Sequence, residues 1–293
     1  MEQSVYARMA ANEGAHWWFS GRRAIIAALV SREIRPARSA RVLEVGCGSG
    51  GNLELLSRFG RLDAVEFDAE SRRTAQARSG IQVLAGALPD ELPVADRSYD
   101  LIALLDVLEH VDEDVRALAA LGGKLSPGGR LLITVPALPW LWSRHDEVHH
   151  HRRRYTRATL GAAIDRAGLR VDRIGYFNAF LFPVAVLRRL LAALTGRGGD
   201  DDRLPPGMLN AALRLVFASE RHLVGRVGLP IGLSLFAIVS GPSEHAAGGV
   251  QASGRREAGR GLDGAPVEAA AAARLSASRG LAGAVRLRPA SRA

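Results

Sequence analysis

Short apolar runs alternate with helix-like runs between residues 41 and 135, and this alternation restricts the fold more than any other feature of the chain. The apolar runs have the length and composition of buried strands. Strands that alternate with helices in this way form a parallel sheet with helices on both faces. We therefore predict an α/β protein with a doubly wound, mostly parallel sheet. The predicted strands are Arg41–Val45, Leu62–Phe67, Ile81–Leu84, Tyr99–Leu105 and Arg130–Val135, and the predicted helices are Gly50–Phe59, Ala69–Arg78 and Val111–Leu125.

The chain is predicted to have three parts. Residues 1–40 form a helical lid, residues 41–242 the sheet domain, and residues 243–293 a tail of Ala, Gly and Arg without strong periodicity, which is typical of disorder. A helical insertion at 176–228 precedes the last strand of the domain. The other predicted elements are a His- and Arg-rich loop at Ala137–Arg154, a helix from a Thr156 cap to Ala167, and strands at Leu169–Ile174 and Leu233–Ser240.

The composition fits a folded protein of one main domain. A hydrophobic content of 47% in 293 residues allows a sizeable core. The net charge is +9, but eight Arg and four acids after residue 242 put about +4 of it in the tail, so the charge is weak evidence for nucleic acid. A single cysteine excludes an internal disulfide framework and fits a reducing compartment. Because the N-terminus does not resemble a secretory signal, we expect a cytoplasmic protein.

A glycine-rich loop, Glu44-Val45-Gly46-Cys47-Gly48-Ser49-Gly50, follows the first strand. Glycines at a strand end let the backbone approach a ligand closely, and a following helix offers N–H groups. Gly46, Gly48 and Gly51 also match the G-x-G-x-x-G dinucleotide pattern. An ordinary turn and several nucleotide-like ligands would each explain this loop.

Two carboxylates and the end of the fourth strand narrow the choice of ligand. Glu44 stands two residues before Gly46, where it is placed to hold a cationic amino group. Glu66 lies near the end of the second strand, where it is placed to accept hydrogen bonds from ribose hydroxyls. The fourth strand then runs into Leu105-Asp106-Val107-Leu108-Glu109-His110. Together these features favour S-adenosylmethionine over a dinucleotide.

Four segments resemble the successive motifs of class I S-adenosylmethionine-dependent methyltransferases, in particular the small-molecule group that includes quinone-biosynthetic enzymes. They are VLEVGCGSGGNL, AVEFDAE, LPVADRSYDLIALLDVLEHV and LSPGGRLLITVP. The flanks HWWFSGRR and LWSRHDEVHHHRRRYTRATL resemble a bacterial subgroup for which we assign no substrate. The resemblance implies a Rossmann-like methyltransferase fold of seven strands, the last of them antiparallel.

The resemblance also implies where S-adenosylmethionine binds. Its methionine end would lie on the glycine loop, its ribose at Glu66, its adenine beside Phe67, and its sulfonium region near the end of the fourth strand. Many relatives carry an acidic residue near the adenine; this chain has Gly86-Ala87-Leu88 there, so backbone groups are expected to make that contact. The implied cofactor residues are Glu44, Gly46, Cys47, Gly48, Gly50, Glu66, Phe67, Ala87, Leu88, Asp106 and Val107.

The methyl acceptor is expected at the same carboxyl edge of the sheet. A hydroxyl or amine acceptor would need a base, and the candidates are His110, Glu109, His145 and His149. Helix capping or packing is the alternative role for His110 and Glu109, and a solvated loop is the alternative for the segment that carries His145 and His149. Adjacent residues of the triplet His149-His150-His151 converge poorly on one ion, so no metal site is predicted.

Other residues are predicted to hold the acceptor, which would be a small molecule or a lipid-linked one. Arg152 to Arg154 would grip a phosphate or carboxylate, and Tyr155 would line the same pocket. Trp17 and Trp18 either pack in the core or close over the ligands, with Arg22 and Arg23 beneath them. The segment 177–191 has an apolar face that either covers the core or rests on a membrane surface, and this gives a possible peripheral contact at the inner face of the membrane.

Three alternatives stay open at this level. A nucleic-acid methyltransferase would explain the Arg-rich loop, although we find no recognisable RNA-binding module, so nucleic acid is disfavoured. A nicotinamide-dependent oxidoreductase would explain the G-x-G-x-x-G match. A binding protein that retains the cofactor site without turnover would show the same motifs.

Overall fold

The computed structural model describes residues 12–195 and 204–241. The predicted tail, the first eleven residues of the predicted lid and part of the insertion lie outside the described residues. The strands are β1 (Arg41–Val45), β2 (Arg61–Glu66), β3 (Val83–Ala85), β4 (Tyr99–Leu105), β5 (Leu125–Pro136), β6 (Arg170–Phe177) and β7 (Ser234–Ser240). The helices are α1 (Trp17–Leu29), α2 (Leu53–Ser57), α3 (Ala69–Ser79), α4 (Asp114–Lys124), α5 (Arg144–Val148), α6 (Arg157–Arg166), α7 (Phe182–Thr195) and α8 (Gly207–Ser219).

The seven strands form one sheet in the order β3-β2-β1-β4-β5-β7-β6. β1 to β5 pair in parallel, whereas β7 runs antiparallel to both β5 and β6. The strand order reverses between β1 and β4, and open α/β sheets bind their ligands beyond the carboxyl ends of the strands at such a point. The predicted α/β class, with a mostly parallel seven-stranded sheet and an antiparallel last strand, is confirmed.

Helices cover both faces of the sheet because its central strands are apolar on both sides. Along β4, Ile102 and Leu104 enter one core, and Leu101, Ala103 and Leu105 enter the other. Helices α4 and α6 pack on the first core, and α1 packs on the second. The period of two along a strand therefore places every second side chain of β4 in the opposite layer.

Helix α1 and the insertion helix α8 form one packing unit. The Cβ of any larger residue at Gly21 would lie 2.5 Å from Cδ1 of Phe217, so glycine permits this close approach. The Trp17 ring meets the Phe217 ring edge-on at 5.7 Å between centroids, and Phe217 is fully buried. The N-terminal segment and the insertion, which are predicted as separate parts, thus cover the same face of the sheet.

Several predicted boundaries are wrong; β5, for example, begins at Leu125 rather than Arg130, and α4 begins at Asp114 rather than Val111. Helix α2 begins at Leu53 and has five residues, because the preceding loop continues through Asn52. Strand β6 extends to Phe177, two residues into the predicted insertion, because its pairing with β7 continues to Ser234. The predicted loop Ala137–Arg154 contains helix α5, whose start is fixed by a hydrogen bond from the Ser143 N–H to Asp146.

Candidate cofactor and acceptor site

The glycine loop lies at the carboxyl end of β1 and holds three left-handed residues. Gly46, Gly48 and Gly50 have φ values of 73°, 54° and 86°, which glycine adopts without strain. A Cβ at Gly46 would lie 2.5 Å from Cγ2 of Val107, so the loop packs directly against the end of β4. A Cβ at Gly48 would meet nothing within 4 Å among the described atoms. The backbone at Gly48 therefore faces open space in which a ligand fits.

Glu44 is a buried carboxylate with one unsatisfied oxygen. Its side chain is 1% exposed, and Oε1 accepts a hydrogen bond from Nδ2 of Asn52 at 2.9 Å. Oε2 has no hydrogen-bond partner among the described residues. Burial raises the pKa of Glu44 to about 8, although the hydrogen bond from Asn52 opposes this shift. A cationic amino group would satisfy this oxygen, so the site fits the methionine end of S-adenosylmethionine.

Glu66 is attached to the loop by its own hydrogen bonds. Oε2 accepts from the Gly48 N–H at 2.7 Å, and Oε1 accepts from the Asp68 N–H at 2.9 Å. Each carboxylate oxygen has a second lone pair, so both can still accept from the hydroxyls of a ribose. The ring of the next residue, Phe67, is 74% exposed and offers a flat apolar surface beside this point. The two residues therefore suit a ribose and a base.

The other predicted cofactor residues are placed less directly. The Cys47 side chain packs into a core with Leu53 and Ala75, and its thiol donates to the Gly48 carbonyl at 3.8 Å. The Ala87 N–H donates to the Glu91 carbonyl at 2.8 Å, and the Glu91 N–H donates back to Ala87 at 2.8 Å. An adenine contact through the Ala87 N–H would compete with this pair. A contact through the backbone of Leu88 stays a prediction.

Asp106 is held by a buried arginine from the N-terminal helix. It adopts a left-handed conformation with φ of 56°, and its N–H donates to the Thr134 carbonyl at 2.9 Å. Its carboxylate forms an ion pair with Arg22, which also donates to Oγ1 of Thr134 at 3.0 Å. Helix α1 is thereby joined to the ends of β4 and β5. The sequence analysis placed Arg22 only beneath a lid and missed this pairing, because no local pattern links residues so far apart.

The N-terminal segment also covers the glycine loop through a residue that the sequence analysis did not name. Ser49 Oγ donates to Oε2 of Glu13 at 2.6 Å, and Nη1 of Arg78 donates to the same oxygen at 2.9 Å. A Cβ at Gly51 would overlap the Glu13 side chain, which would have to move aside. The third glycine of the G-x-G-x-x-G match therefore lies directly beneath the N-terminal segment.

Trp17 and Trp18 were predicted either to pack or to cover the ligands. Trp17 packs against Phe217, while Trp18 lies edge-on to Phe19 at 5.0 Å. The guanidinium of Arg22 lies 5.2 Å from the centre of the Trp18 ring. Trp18 thus lies beside Arg22, the arginine that pairs with Asp106. The position of Trp17 is explained by its packing against Phe217.

The loop after β5 is organised around Asp146, which is fully buried. Asp146 accepts hydrogen bonds from Nε of Arg154 at 2.7 Å, from Nη2 of Arg154 at 3.0 Å and from Nδ1 of His151 at 2.9 Å. Burial alone would raise the pKa of Asp146, but the hydrogen bonds from His151 and Arg154 outweigh it and lower that pKa. The loop is therefore fixed from within by a buried, ionised carboxylate.

The arginines predicted to grip the acceptor are paired with carboxylates of the protein. Arg153 forms an ion pair with Asp114 at 2.9 Å, and Arg152 with Asp112 at 3.2 Å. The Tyr155 hydroxyl donates to Asp114 at 2.9 Å, and burial, with the nearby charge of Asp114, raises the pKa of that tyrosine. An anionic acceptor would have to displace these partners.

Four histidines meet beside this loop. The ring centroids of His110 and His151 are 4.8 Å apart, those of His145 and His149 are 4.1 Å apart, and those of His149 and His151 are 5.9 Å apart. Burial, followed by repulsion from His151 and His149, lowers the pKa of His110 to about 3. His110 is therefore a neutral imidazole and a weak base, which argues against the predicted role as general base.

Arg189 of helix α7 reaches the same region. Its Nη1 is buried and has no hydrogen-bond partner in the described part of the chain. Burial lowers the pKa of Arg189 to about 10, and the positive charge of Arg154 lowers it further while Asp146 opposes the shift. These neighbours place Arg189 beside the Asp146 loop. The apolar pattern of the segment 177–191 does not indicate this position for Arg189, because its neighbours come from a distant part of the chain.

Comparison with known proteins agrees with this geometry. The family model described as "Methyltransferase domain" matches residues 18–174. A ubiquinone biosynthesis O-methyltransferase of Xanthomonas axonopodis is 30% identical over 164 residues, which are 50% of this chain and 68% of that protein. The enzyme of the same name from Xylella fastidiosa is 37% identical over 105 residues, which are 34% of this chain and 43% of that protein. The chain thus spans less than half of the Xylella relative.

Solved structures support the same fold. A chain from the Haloferax volcanii complex between the Trm112 methyltransferase activator and a methyltransferase superposes with a TM-score of 0.55 at 20% identity. The match covers 83% of this chain and 96% of that one. The family match decides between the two nucleotide-like ligands considered for the glycine loop, in favour of S-adenosylmethionine. The chain belongs to the methyltransferase domain family and carries a class I, S-adenosylmethionine-dependent methyltransferase domain.

Proposed function

We propose that this protein transfers a methyl group from S-adenosylmethionine to a small-molecule or lipid-linked acceptor. When bound, the cofactor supplies an electrophilic methyl group on a positively charged sulfur. The S–CH₃ bond breaks as the new bond to the acceptor forms, and a hydroxyl or amine acceptor loses a proton to its surroundings. The residues of the chain have to hold the two reactants in line and keep water away.

The main support for placing the methionine end of the cofactor is Oε2 of Glu44, which has no hydrogen-bond partner among the described residues. In this proposal Glu44 binds the amino group, Glu66 accepts from the ribose hydroxyls, and Phe67 packs beside the adenine. Asp106, held by Arg22, and Val107, packed on Gly46, border the sulfonium. The buried carboxylate of Glu44 gains a charge partner when the ligand binds, so this contact strengthens binding most.

Isothermal titration with S-adenosylhomocysteine tests this assignment. Glu44→Gln should weaken binding by about 10- to 100-fold, since a hydrogen bond between charged groups contributes roughly 1.5–3 kcal/mol. Glu54→Gln is the matched control, because the Glu54 side chain is 86% exposed and lies on the helix after the same loop. Equal affinities of the Glu44 and Glu54 variants would contradict the proposed contact.

The acceptor is proposed to carry an anionic group and an apolar part. Arg189 offers the anionic group a buried nitrogen that has no hydrogen-bond partner among the described residues, whereas Arg152, Arg153 and Arg154 are already paired. The relatives named for ubiquinone biosynthesis are consistent with an acceptor hydroxyl on a lipid-linked molecule. The acceptor would then enter between the Asp146 loop and helix α7.

Transfer of isotopically labelled methyl groups into bacterial metabolite, lipid and nucleic-acid extracts tests this acceptor class. We expect label in the lipid fraction, and much less label with Arg189→Met. Arg214→Met, a change at an exposed arginine of α8, should transfer label at the rate of the unmodified protein. Label that appears only in RNA or DNA would favour the nucleic-acid alternative instead.

We also propose that the segment 177–191 rests on a membrane surface. Val184, Leu187 and Leu190 are each more than half exposed, whereas Phe182 and Val186 on the same segment pack against the core. Within the described residues, no helix combines the length and hydrophobicity needed to span a bilayer. The helix is therefore suited to lie flat with its outer apolar side in the lipid.

Flotation with anionic lipid vesicles tests the membrane contact. The double change Leu187→Glu and Leu190→Glu should abolish flotation, while Ala158→Glu, at an exposed position of α6, should leave it intact. Failure of the unmodified protein to float would overturn this proposal without affecting the cofactor assignment.

A further inference from the structure

Glu109, His110 and His151 each place one potential metal-ligand atom close to those of the other two. These three atoms lie within 4.8 Å of one another. Glu109 and His110 belong to the turn Leu108–His110 after β4, and His151 follows helix α5. The Arg152 N–H donates to the Glu109 carbonyl at 2.7 Å and so ties the two segments together. The cluster is built by the tertiary fold from one residue of the His triplet and two residues of a different loop.

Glu109 lacks a partner inside this cluster. The residue is 1% exposed, and its Oε2 has no hydrogen-bond partner within the residues that the structure describes. A buried carboxylate oxygen without a donor is costly unless a cation binds it. A metal ion would provide that cation.

His151 is oriented in the way that metal-binding histidines usually are. Its Nδ1 lies 2.9 Å from Oδ1 of the ionised Asp146, so Nδ1 carries the proton and Nε2 is left as the electron-pair donor. Asp146 is held in turn by Arg154. A carboxylate that fixes the tautomer and orientation of a ligating histidine is a regular feature of metal sites. Asp146 is thus a positioning residue for His151.

We propose that Glu109, His110 and His151 bind a divalent ion of the first transition row, such as Zn²⁺ or Fe²⁺. Two imidazoles and one carboxylate are the ligand set of catalytic zinc sites and of non-haem iron sites, and three protein ligands leave positions open for a substrate. At Zn–N and Zn–O distances near 2.1 Å, tetrahedral ligand atoms lie about 3.3 Å apart. Binding would therefore draw the three side chains together by up to about 1.5 Å.

The role of this ion rests on the proposed function. The cluster follows Asp106 by three residues, at the carboxyl edge where the methyl donor is proposed to bind. An acceptor hydroxyl bound at an open position would lose its proton to water at a lower pH, because a divalent ion stabilises the resulting oxyanion. Attack of this oxyanion on the methyl group would form the O–CH₃ bond as the S–CH₃ bond breaks and S-adenosylhomocysteine leaves.

Metal titration of the untagged full chain, after treatment with a chelator, tests the proposal without any turnover. We expect one equivalent of Zn²⁺ by calorimetry, and one equivalent of Co²⁺ with the visible absorption of a site of low coordination number. Glu109→Gln and His151→Gln should each lower the Zn²⁺ affinity by at least 100-fold. Asp146→Asn should lower it by about 10- to 100-fold, as expected for a residue that orients a ligand.

Two controls make the outcome decisive. His222→Gln, at an exposed histidine, should leave one equivalent bound with unchanged affinity. S-adenosylhomocysteine binding, measured on each variant, verifies the fold and separates this proposal from the proposed function. Zn²⁺ affinity that is equal in the unmodified protein and in Glu109→Gln would overturn the assignment. Affinity lost with His145→Gln and His149→Gln, but retained with Glu109→Gln, would place the ion on the other histidine pair and overturn it as well.

Discussion

Glu44 beside the glycine loop and Asp146 in the loop after β5 are both buried carboxylates, but their surroundings differ. Glu44 receives a single hydrogen bond, from Asn52, and burial raises its pKa to about 8. Asp146 receives hydrogen bonds from Ser143, His151 and Arg154, and its pKa is lowered. Among the described residues, Asp146 has its hydrogen-bond partners within the protein, whereas one oxygen of Glu44 has none. We therefore expect stability to depend on the Asp146 loop and the proposed cofactor binding to depend on Glu44.

The largest expected effect tests the Asp146 half of this comparison. Asp146→Ala should lower the free energy of unfolding by about 3–5 kcal/mol, because it leaves the buried Arg154 without its partner. Urea unfolding measures the loss. Glu54→Ala, at an exposed ion pair, should change the same quantity by about 0.5 kcal/mol or less. A small loss for Asp146→Ala would mean that the loop can reorganise around Arg154.

A smaller effect separates two positions of the glycine loop. Gly46→Ala should destabilise the protein by about 1–3 kcal/mol, because the new Cβ meets Val107 as well as straining a left-handed residue. Gly48→Ala carries only the backbone strain, about 1–2 kcal/mol, since its Cβ would enter open space. For each variant, the loss of affinity for S-adenosylhomocysteine can be divided by the loss of stability. This ratio should be larger for Gly48→Ala than for Gly46→Ala. Equal ratios for the two variants would contradict an open, ligand-facing Gly48.

The pH dependence of the free energy of unfolding tests what the comparison says about Glu44. A carboxyl group with a raised pKa binds its proton more tightly when folded than when unfolded. Between the ordinary glutamate value near 4.5 and about 8, the unfolded state therefore binds fewer protons, and stability falls as pH rises, by at most roughly 1.4 kcal/mol per pH unit. Glu44→Gln should remove this part of the slope in urea unfolding at several pH values. If the slope is unchanged in Glu44→Gln, this part of the pH dependence comes from another group.

The smallest effect concerns the outer side of helix α7. Leu187→Ser should change the free energy of unfolding by less than about 0.5 kcal/mol, because the Leu187 side chain is mostly exposed. The same variant should weaken binding to lipid vesicles. A loss of stability of 2 kcal/mol or more would show that this side of the helix is covered in the folded protein, and vesicle binding would then need another explanation.

Most of the fold could be predicted because its information is local. Strands β1 and β4 were predicted with their exact bounds, since a buried parallel strand is a continuous apolar run between turn residues. Helix α5 was missed because it has five residues and depends on Asp146, whose role as a cap and as the centre of an ion-pair network cannot be read from a His- and Arg-rich run. The bounds of β6 depend on its antiparallel partner β7, which lies about sixty residues further along the chain.

The candidate site likewise contains residues that local sequence predicts and contacts that it does not predict. Glu44 and Gly48 were predicted from their spacing around one strand–loop–helix unit, within which the geometry is nearly constant, and Glu66 from its place at the end of the next strand. The pairing of Arg22 with Asp106, the approach of Glu13 to Ser49, and the burial of Arg189 near Arg154 join segments that are far apart in the chain. Nothing in the local pattern of either segment encodes such a contact, because it depends on how the helices pack across the sheet.

By itself the sequence determined the α/β class, the glycine loop and the family to which the domain belongs, because periodicity and motif spacing are properties of short segments. Only the tertiary structure decided which charges are satisfied. It paired Arg152, Arg153 and Arg154 with carboxylates and brought His151 next to His110. Among the described residues, it left one oxygen of Glu44 and one of Glu109 without a hydrogen-bond partner. The physical reason is that burial and pairing of a charge depend on neighbours from the whole fold, whereas the tendency to form a strand or a turn depends on adjacent residues.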